Sequence, residues 1–198
     1  MALRLVEPGA QVVQLLRDRL AGYVAEQGFR TRALSAAKPA SLGLAAPHPV
    51  FQLALEDVGT PAAFERAAMA GWRYLVTSGK RVIASAQASA RSRTAKATFS
   101  HLNEGPFVAA TERALALAEA WPEVRDGRYA LGLLSVPALY VEALWLRDED
   151  GQDGGDRFVP LDPAPAPLQA EKRYTAAEFA AALATLKAQR GNSGDSTN

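Results

Sequence analysis

The residues with the clearest chemical potential lie between Arg66 and Asn103, a span rich in arginine and lysine that contains no aspartate or glutamate. Trp72, Tyr74 and Phe99 lie in the same span. Cations interleaved with aromatic rings are typical of surfaces that bind a phosphate backbone and stack on bases. The candidate nucleic-acid or anion-binding residues are Arg73, Lys80, Arg81, Arg91, Arg93 and Lys96. The formal net charge is only +1 and an ordinary solvated hairpin face is also basic, so nucleic-acid binding is a less favoured alternative.

A short acid–base cluster is the candidate catalytic feature. Ser100, His101 and Glu104 lie just before a predicted helix, with His101 and Glu104 three residues apart. A hydroxyl, an imidazole and a carboxylate at a helix start are the residue types of acid–base chemistry or of a ligand site. Such residues also cap and solvate helix starts, and no complete catalytic motif accompanies them. A small enzyme or ligand-binding protein with this site is therefore an alternative, and the balance leans against an enzyme.

The remaining motifs argue against metals and cofactors. There are no cysteines, and His48 and His101 lack further ligands at the spacing of a zinc site. The acidic segment 148–156 has Gln152 and Val159 where a helix–loop–helix calcium site needs an acid and a glutamate. It is interpreted as a solvated loop. We predict no metal and no cofactor.

The stretch 128–147 is predicted to form the centre of the fold. It is the longest run of apolar and β-favouring residues, and Pro137 divides it into two strands joined by a bulge, a corner or a reversal. Both faces of the second strand are largely apolar. One face is expected to pack on helices. The face of Leu144 and Leu146 needs cover from another helix or from a partner chain.

Further elements are predicted from hydrophobic periodicity and turn chemistry. Helices are predicted over about 10–27, 62–70, 105–121 and 175–190. The last begins with a capping box of Thr175 and Glu178. Strands are predicted over about 50–58, 72–77, 81–88 and 158–161, and a Ser78–Gly79 turn joins the second and third of these.

The expected fold is an α+β domain with a largely antiparallel sheet of five or six strands and about four helices packed on it. Short links between neighbouring strands favour the antiparallel arrangement. One domain over residues 1–190 is expected at this length, with a long loop at about 30–49 and a disordered tail at 191–198.

The favoured function is a non-enzymatic protein-interaction or scaffold module. No catalytic motif is complete, and the apolar central strands favour contact with another protein or self-association as a homo-oligomer. The N-terminal residues carry charges and lack the pattern of a signal peptide, and no window approaches the roughly 18 apolar residues of a membrane span. No membrane partner is therefore predicted, and the expected location is the cytoplasm.

Overall fold

A nine-stranded, largely antiparallel sheet forms the centre of the computed structural model. The strands are β1 (Leu3–Arg4), β2 (Leu42–Gln52), β3 (Ala68–Ser78), β4 (Arg81–Ser89), β5 (Thr98–Asn103), β6 (Tyr129–Val136), β7 (Val141–Asp148), β8 (Arg157–Pro160) and β9 (Tyr174–Thr175). The pairs β1–β6 and β2–β6 are parallel, and the other described pairs are antiparallel. The strand order is β5-β4-β3-β2-β6-β7-β8-β9, and β1 also pairs with β6. The predicted α+β class is confirmed, and the sheet has more strands than expected.

Four helices and three short 3-10 turns accompany the sheet in the described part of the chain, which covers residues 3–26, 35–37, 41–151 and 155–194. The helices are α1 (Ala10–Ala25), α2 (Pro106–Ala120), α3 (Pro122–Asp126) and α4 (Ala176–Gly194), and the 3-10 turns are Leu55–Asp57, Pro61–Arg66 and Pro137–Leu139. The helices α2 and α3 each begin with a proline, which has the backbone angle of a first helical residue and needs no hydrogen-bond partner there.

The helices α1 and α4 pack on one face of the sheet, which we call the front face. On α1, Val12 and Leu16 are fully buried in a cluster with Trp72 of β3. On α4, Phe179 is fully buried in a second cluster with Trp145 of β7. These two helices cover opposite halves of the sheet, and a groove remains between them over the central strands.

The helix α2 covers the opposite face of the sheet, which we call the back face. Leu144 and Leu146 of β7 are fully buried there, in one cluster with Ala110 and Ala114 of α2. The second face of this strand is therefore covered within the chain. The homo-oligomer prediction was based on the expectation that a partner chain could cover this face. The prediction loses that support, because α2 covers the face.

Several sequence-based element predictions were wrong in detail. Strand β2 begins at Leu42, inside the loop predicted at about 30–49. The helix predicted over 62–70 is the 3-10 turn Pro61–Arg66, after which β3 begins. Strand β5 was not predicted, and α4 continues to Gly194, inside the predicted tail.

Parts of the predicted loops and of the predicted tail lie outside the described residues: 30–34 and 38–40 of the first loop, 152–154 of the acidic segment, and 195–198 of the tail. The Pro137 break is a reversal, because β6 and β7 form an antiparallel pair on either side of it. Among the helices that the structure describes, none has both the length and the hydropathy needed to cross a bilayer.

Candidate ligand-binding groove

The predicted catalytic cluster lies at the exposed edge of the sheet, on β5. The register shifts there, since Gln87 pairs with His101 and Ala88 pairs with Phe99. Ser100 is thus the extra residue of a β-bulge, which turns its side chain toward that of its neighbour. Ser100 Oγ lies 3.0 Å from His101 Nδ1. The structure therefore brings two of the three predicted residues together.

The surroundings of His101 do not complete a catalytic site. Burial and the positive charge of Arg73 lower the pKa of His101, and the carboxylate of Glu142 partly opposes this shift. The carboxylate that acts on His101 electrostatically is therefore that of Glu142. Glu104, the predicted carboxylate, lies in the chain between β5 and α2. Ser100 and His101 are both exposed side chains.

Arg73, one of the predicted anion-binding residues, is buried on the back face. It is 5 % exposed. Its Nη1 donates to Glu142 Oε2 at 2.8 Å, and its Nε donates to Gln87 Oε1 at 3.0 Å. Because the side chain is buried and ion-paired within the fold, it is not a surface contact for nucleic acid.

The other predicted cations divide between the two ends of β4. Lys80 and Arg81 lie at the β3–β4 turn, whereas Arg91, Arg93 and Lys96 lie in the connection from β4 to β5. A nine-residue strand spans roughly 30 Å. A continuous basic patch along the segment is therefore absent from the described residues. Nucleic-acid binding stays a prediction with less support from charge placement than the sequence suggested.

A polar row crosses the back face beside α2. His48 pairs with Arg73, Arg73 with Gln87, and Gln87 with His101, so the four side chains are neighbours on one face. Exposure falls from His101 at the sheet edge to His48, which is fully buried. His101, the histidine of the predicted cluster, is the exposed end of this row. The charges of the Arg73–Glu142 ion pair therefore act on its imidazole.

His48 is held in one tautomer by a bulge in β2. Ala46, in the bulge, has a left-handed backbone with φ of 48°. Its carbonyl oxygen lies 2.7 Å from His48 Nδ1, which therefore carries the proton and donates it. Burial and the nearby Arg73 lower the pKa of His48 to about 4. His48 is thus neutral at pH 7.

A large concave site lies on the front face, in the groove between α1 and α4. Its volume is about 1120 Å³. Two cross-strand rows form its base. In the first, Trp72 pairs with Pro49 and Trp145 pairs with Gly132, and the β2–β6 register places Pro49 beside Gly132. A tryptophan therefore stands at each end of a row whose middle residues are small.

The second row places two arginines in the groove. Arg4 of β1 and Arg147 of β7 both pair with Ala130 of β6, from its two sides. Since residues in register share a face, the two guanidinium groups flank a small central residue. Arg93 also lines the groove, and its Nη2 donates to the carbonyl oxygen of Glu7 at 3.0 Å.

Arg147 lies over an aromatic surface. Its Cζ is 5.1 Å from the ring centroid of Phe51 and 5.1 Å from that of Trp145. Those two rings meet edge to face, with centroids 5.2 Å apart. Cation–π contacts of this kind hold a guanidinium in place without neutralising it. Within the described part of the chain, Arg147 makes no ion pair, so its charge remains available.

The carboxylates that line the groove are mostly engaged elsewhere. Arg4 Nε donates to the two carboxylate oxygens of Glu149 at 2.9 and 2.7 Å, and Arg4 Nη2 donates to the same carboxylate. These hydrogen bonds lower the pKa of Glu149. Asp156 accepts hydrogen bonds from Trp145 Nε1 at 2.7 Å and from the backbone N–H of Asp148 at 2.8 Å. These bonds also fix the Trp145 ring that lies beneath Arg147.

The sequence alone does not reveal this groove, and Arg4 and Arg147 are not among the predicted functional residues. The strand alternation does place Trp145 and Arg147 on one face of β7. Their approach to Arg4 and Trp72 depends on the parallel pairing of β1 and β2 with β6, across more than eighty residues of sequence, which no local pattern encodes.

Comparisons of the chain with protein-family models, with curated proteins and with solved structures find no match. The function is therefore inferred from the geometry of the site. Among the described residues, no group of three histidine or acidic side chains is placed to hold a metal ion.

Proposed function

We propose that this chain is a binding protein for a small anionic molecule with an apolar body, held in the groove between α1 and α4. The observation that carries the proposal is the position of Arg147, a guanidinium supported by Phe51 and Trp145 without an ion-pair partner in the described chain. A ligand carboxylate or similar anion would pair with this group, and its apolar part would cover the aromatic rings.

The balance of hydrogen-bonding groups supports an anion rather than a cation. The uncommitted donors in the groove are Arg147, the remaining N–H groups of Arg93 and the indole N–H of Trp72, which has no partner in the described structure. By contrast, three of the four carboxylates that line the groove, Asp148, Glu149 and Asp156, already accept bonds from the protein, and Glu65 is the fourth. A ligand rich in acceptors therefore complements the site.

The size of the groove suits an organic molecule rather than a simple inorganic ion. Its volume of about 1120 Å³ is slightly above the usual range of small-molecule sites, which is about 300–1,000 Å³. Phe51, Phe64 and Met69 contribute apolar lining, so a bare inorganic anion would leave this surface uncovered.

Isothermal titration calorimetry with matched probes tests the proposal. Decanoate and decyltrimethylammonium share a straight alkyl chain and carry opposite charges. We expect the wild-type protein to bind decanoate and to bind the cation at least tenfold more weakly, since only the anion pairs with Arg147. Equal affinity for the two probes, or no binding of decanoate, would contradict the proposal.

Two arginine variants locate the interaction. Arg147→Gln should weaken decanoate binding about tenfold or more, because a hydrogen bond to a charged group is lost. Arg128→Gln is the matched control, because Arg128 is exposed and lies outside the groove. Equal losses in the two variants would show a general charge effect rather than a site at Arg147.

A further inference from the structure

We propose that the groove selects an elongated ligand with a second acceptor, such as a carbonyl oxygen, which binds the indole N–H of Trp72 while the anion binds Arg147. This inference rests on the proposed function and deepens it. It assigns to Trp72 a specificity role, and it narrows the ligand class from any apolar anion to an anion with a polar acceptor at its far end.

The starting observation is an unsatisfied buried donor. Trp72 is fully buried and lines the groove, and its Nε1 has no hydrogen-bond partner among the described residues. Buried N–H groups are nearly always paired, because an unpaired one loses its hydration without replacement. Trp145, in the same row, is an example of a paired indole, since its Nε1 donates to Asp156 Oδ2 at 2.7 Å.

The neighbours of Trp72 supply no acceptor on the front face. Its partners in the sheet are Pro49 on one side and Ala88 on the other, and α1 contributes Val12 and Leu16 to the same cluster. All four side chains are apolar. A ligand group that enters the groove is therefore the natural source of an acceptor for this N–H.

The spacing of the two anchors sets the length of the ligand. Trp72 and Trp145 lie three strand spacings apart, which is roughly 14 Å between Cα atoms. Arg147 lies two residues further along β7. Because both side chains line the groove, the anion and the acceptor of the ligand should be on the order of 10 Å apart. A chain of about ten carbons has this length.

A pair of matched ligands tests the inference. Undecanoate is compared with its analogue that has a ketone one carbon from the end distant from the carboxylate. We expect the wild-type protein to bind the keto acid about tenfold more tightly, because the ketone oxygen satisfies the N–H of Trp72. Trp72→Phe should remove this difference, and Trp121→Phe, outside the groove, should retain it.

A spectroscopic readout covers the case in which Trp72→Phe does not fold. The chain has three tryptophans, so the indole N–H resonance of Trp72 is assigned by elimination from Trp121→Phe and Trp145→Phe. In the wild-type protein, the indole N–H resonance of Trp72 should move downfield when the keto acid binds, and it should move less when undecanoate binds.

The failure of this inference differs from the failure of the proposed function. Equal affinities for the two ligands, with an unmoved Trp72 resonance, would overturn the role of Trp72. If both ligands still lose affinity in Arg147→Gln, the groove remains the anion site. If neither ligand binds, both proposals fail.

Discussion

At the scale of single residues, the fold combines two arginines in opposite roles. Arg73 is 5 % exposed, and its charge is balanced by Glu142 and held by Gln87. Arg147 is exposed, and the rings of Phe51 and Trp145 support it without balancing its charge. Burial with a carboxylate partner marks a structural cation, whereas support without neutralisation marks a cation that can serve a ligand. This contrast selects the groove over the back-face row as the binding site.

The buried imidazole of His48 predicts an acid-sensitive fold. Its pKa is lowered to about 4 in the folded protein, whereas the unfolded value is about 6.5. The folded state therefore binds fewer protons between these values. Stability that is complete above about pH 6.5 is lost as the pH falls toward 4, by about 3 kcal/mol in all.

Urea unfolding from pH 7.5 to pH 4 measures this loss. His48→Gln, which does not titrate, should show a shallower fall in unfolding free energy across this range. His101→Gln is the comparison, because His101 is the other histidine of the polar row and is exposed. Identical slopes for wild type and His48→Gln would show that another group causes the acid sensitivity.

At the scale of elements, local sequence signals predicted the helix starts and the tight turn well. The capping box at α4 is confirmed: the backbone N–H of Thr175 donates to Glu178 Oε2 at 2.8 Å, and that of Glu178 donates to Thr175 Oγ1 at 3.2 Å. The Ser78–Gly79 turn is confirmed as well, since Gly79 has a φ of 60°, which glycine adopts without strain.

Non-local pairing explains the elements that were missed. Strand β2 contains Pro47 and Pro49 and a bulge at Ala46, so its sequence shows neither alternation nor strand propensity. It is a strand because β3 and β6 pair with its two sides. Strand β5 carries a bulge at Ser100, which disrupts its period as well. The groove was missed for the same reason, because its rows join strands that are distant in sequence.

Loss of the α4 cap should cost a measurable fraction of stability. Thr175→Ala removes the hydroxyl that accepts the backbone N–H of Glu178, and we expect a loss of about 1 kcal/mol. For a chain of this length this corresponds to a fall of about 2–4 °C in the melting temperature. Thr175→Ser keeps the hydroxyl and should keep most of the stability. Equal melting temperatures for Thr175→Ala and wild type would show that the box contributes little.

At the scale of the whole molecule, helices cover both faces of the sheet and leave a groove open on the front face. The large hydrophobic side chains exposed in the described part of the chain are Leu117 and Tyr140. They are too few to form an apolar interface patch. The predictions of an interaction module and of a homo-oligomer thus remain predictions. They lack the exposed apolar face of β7 that motivated them.

The coverage of the sheet predicts a monomer. Size-exclusion chromatography with light scattering should give the mass of one chain, 21.0 kDa, at micromolar concentrations, with or without decanoate. A stable dimer would show that a surface other than the back face of β7 associates. A dimer formed only with decanoate would instead place the ligand between two chains.

The most direct test of the account is the location of bound decanoate. Backbone amide NMR of the wild-type protein during a decanoate titration compares the two candidate sites in one experiment. The account predicts saturable shifts at Ala130 and Arg147, on the strands of the groove, and unchanged amides at Ser100 and His101. Shifts confined to Ser100 and His101 would contradict it and would place the binding site on the polar row.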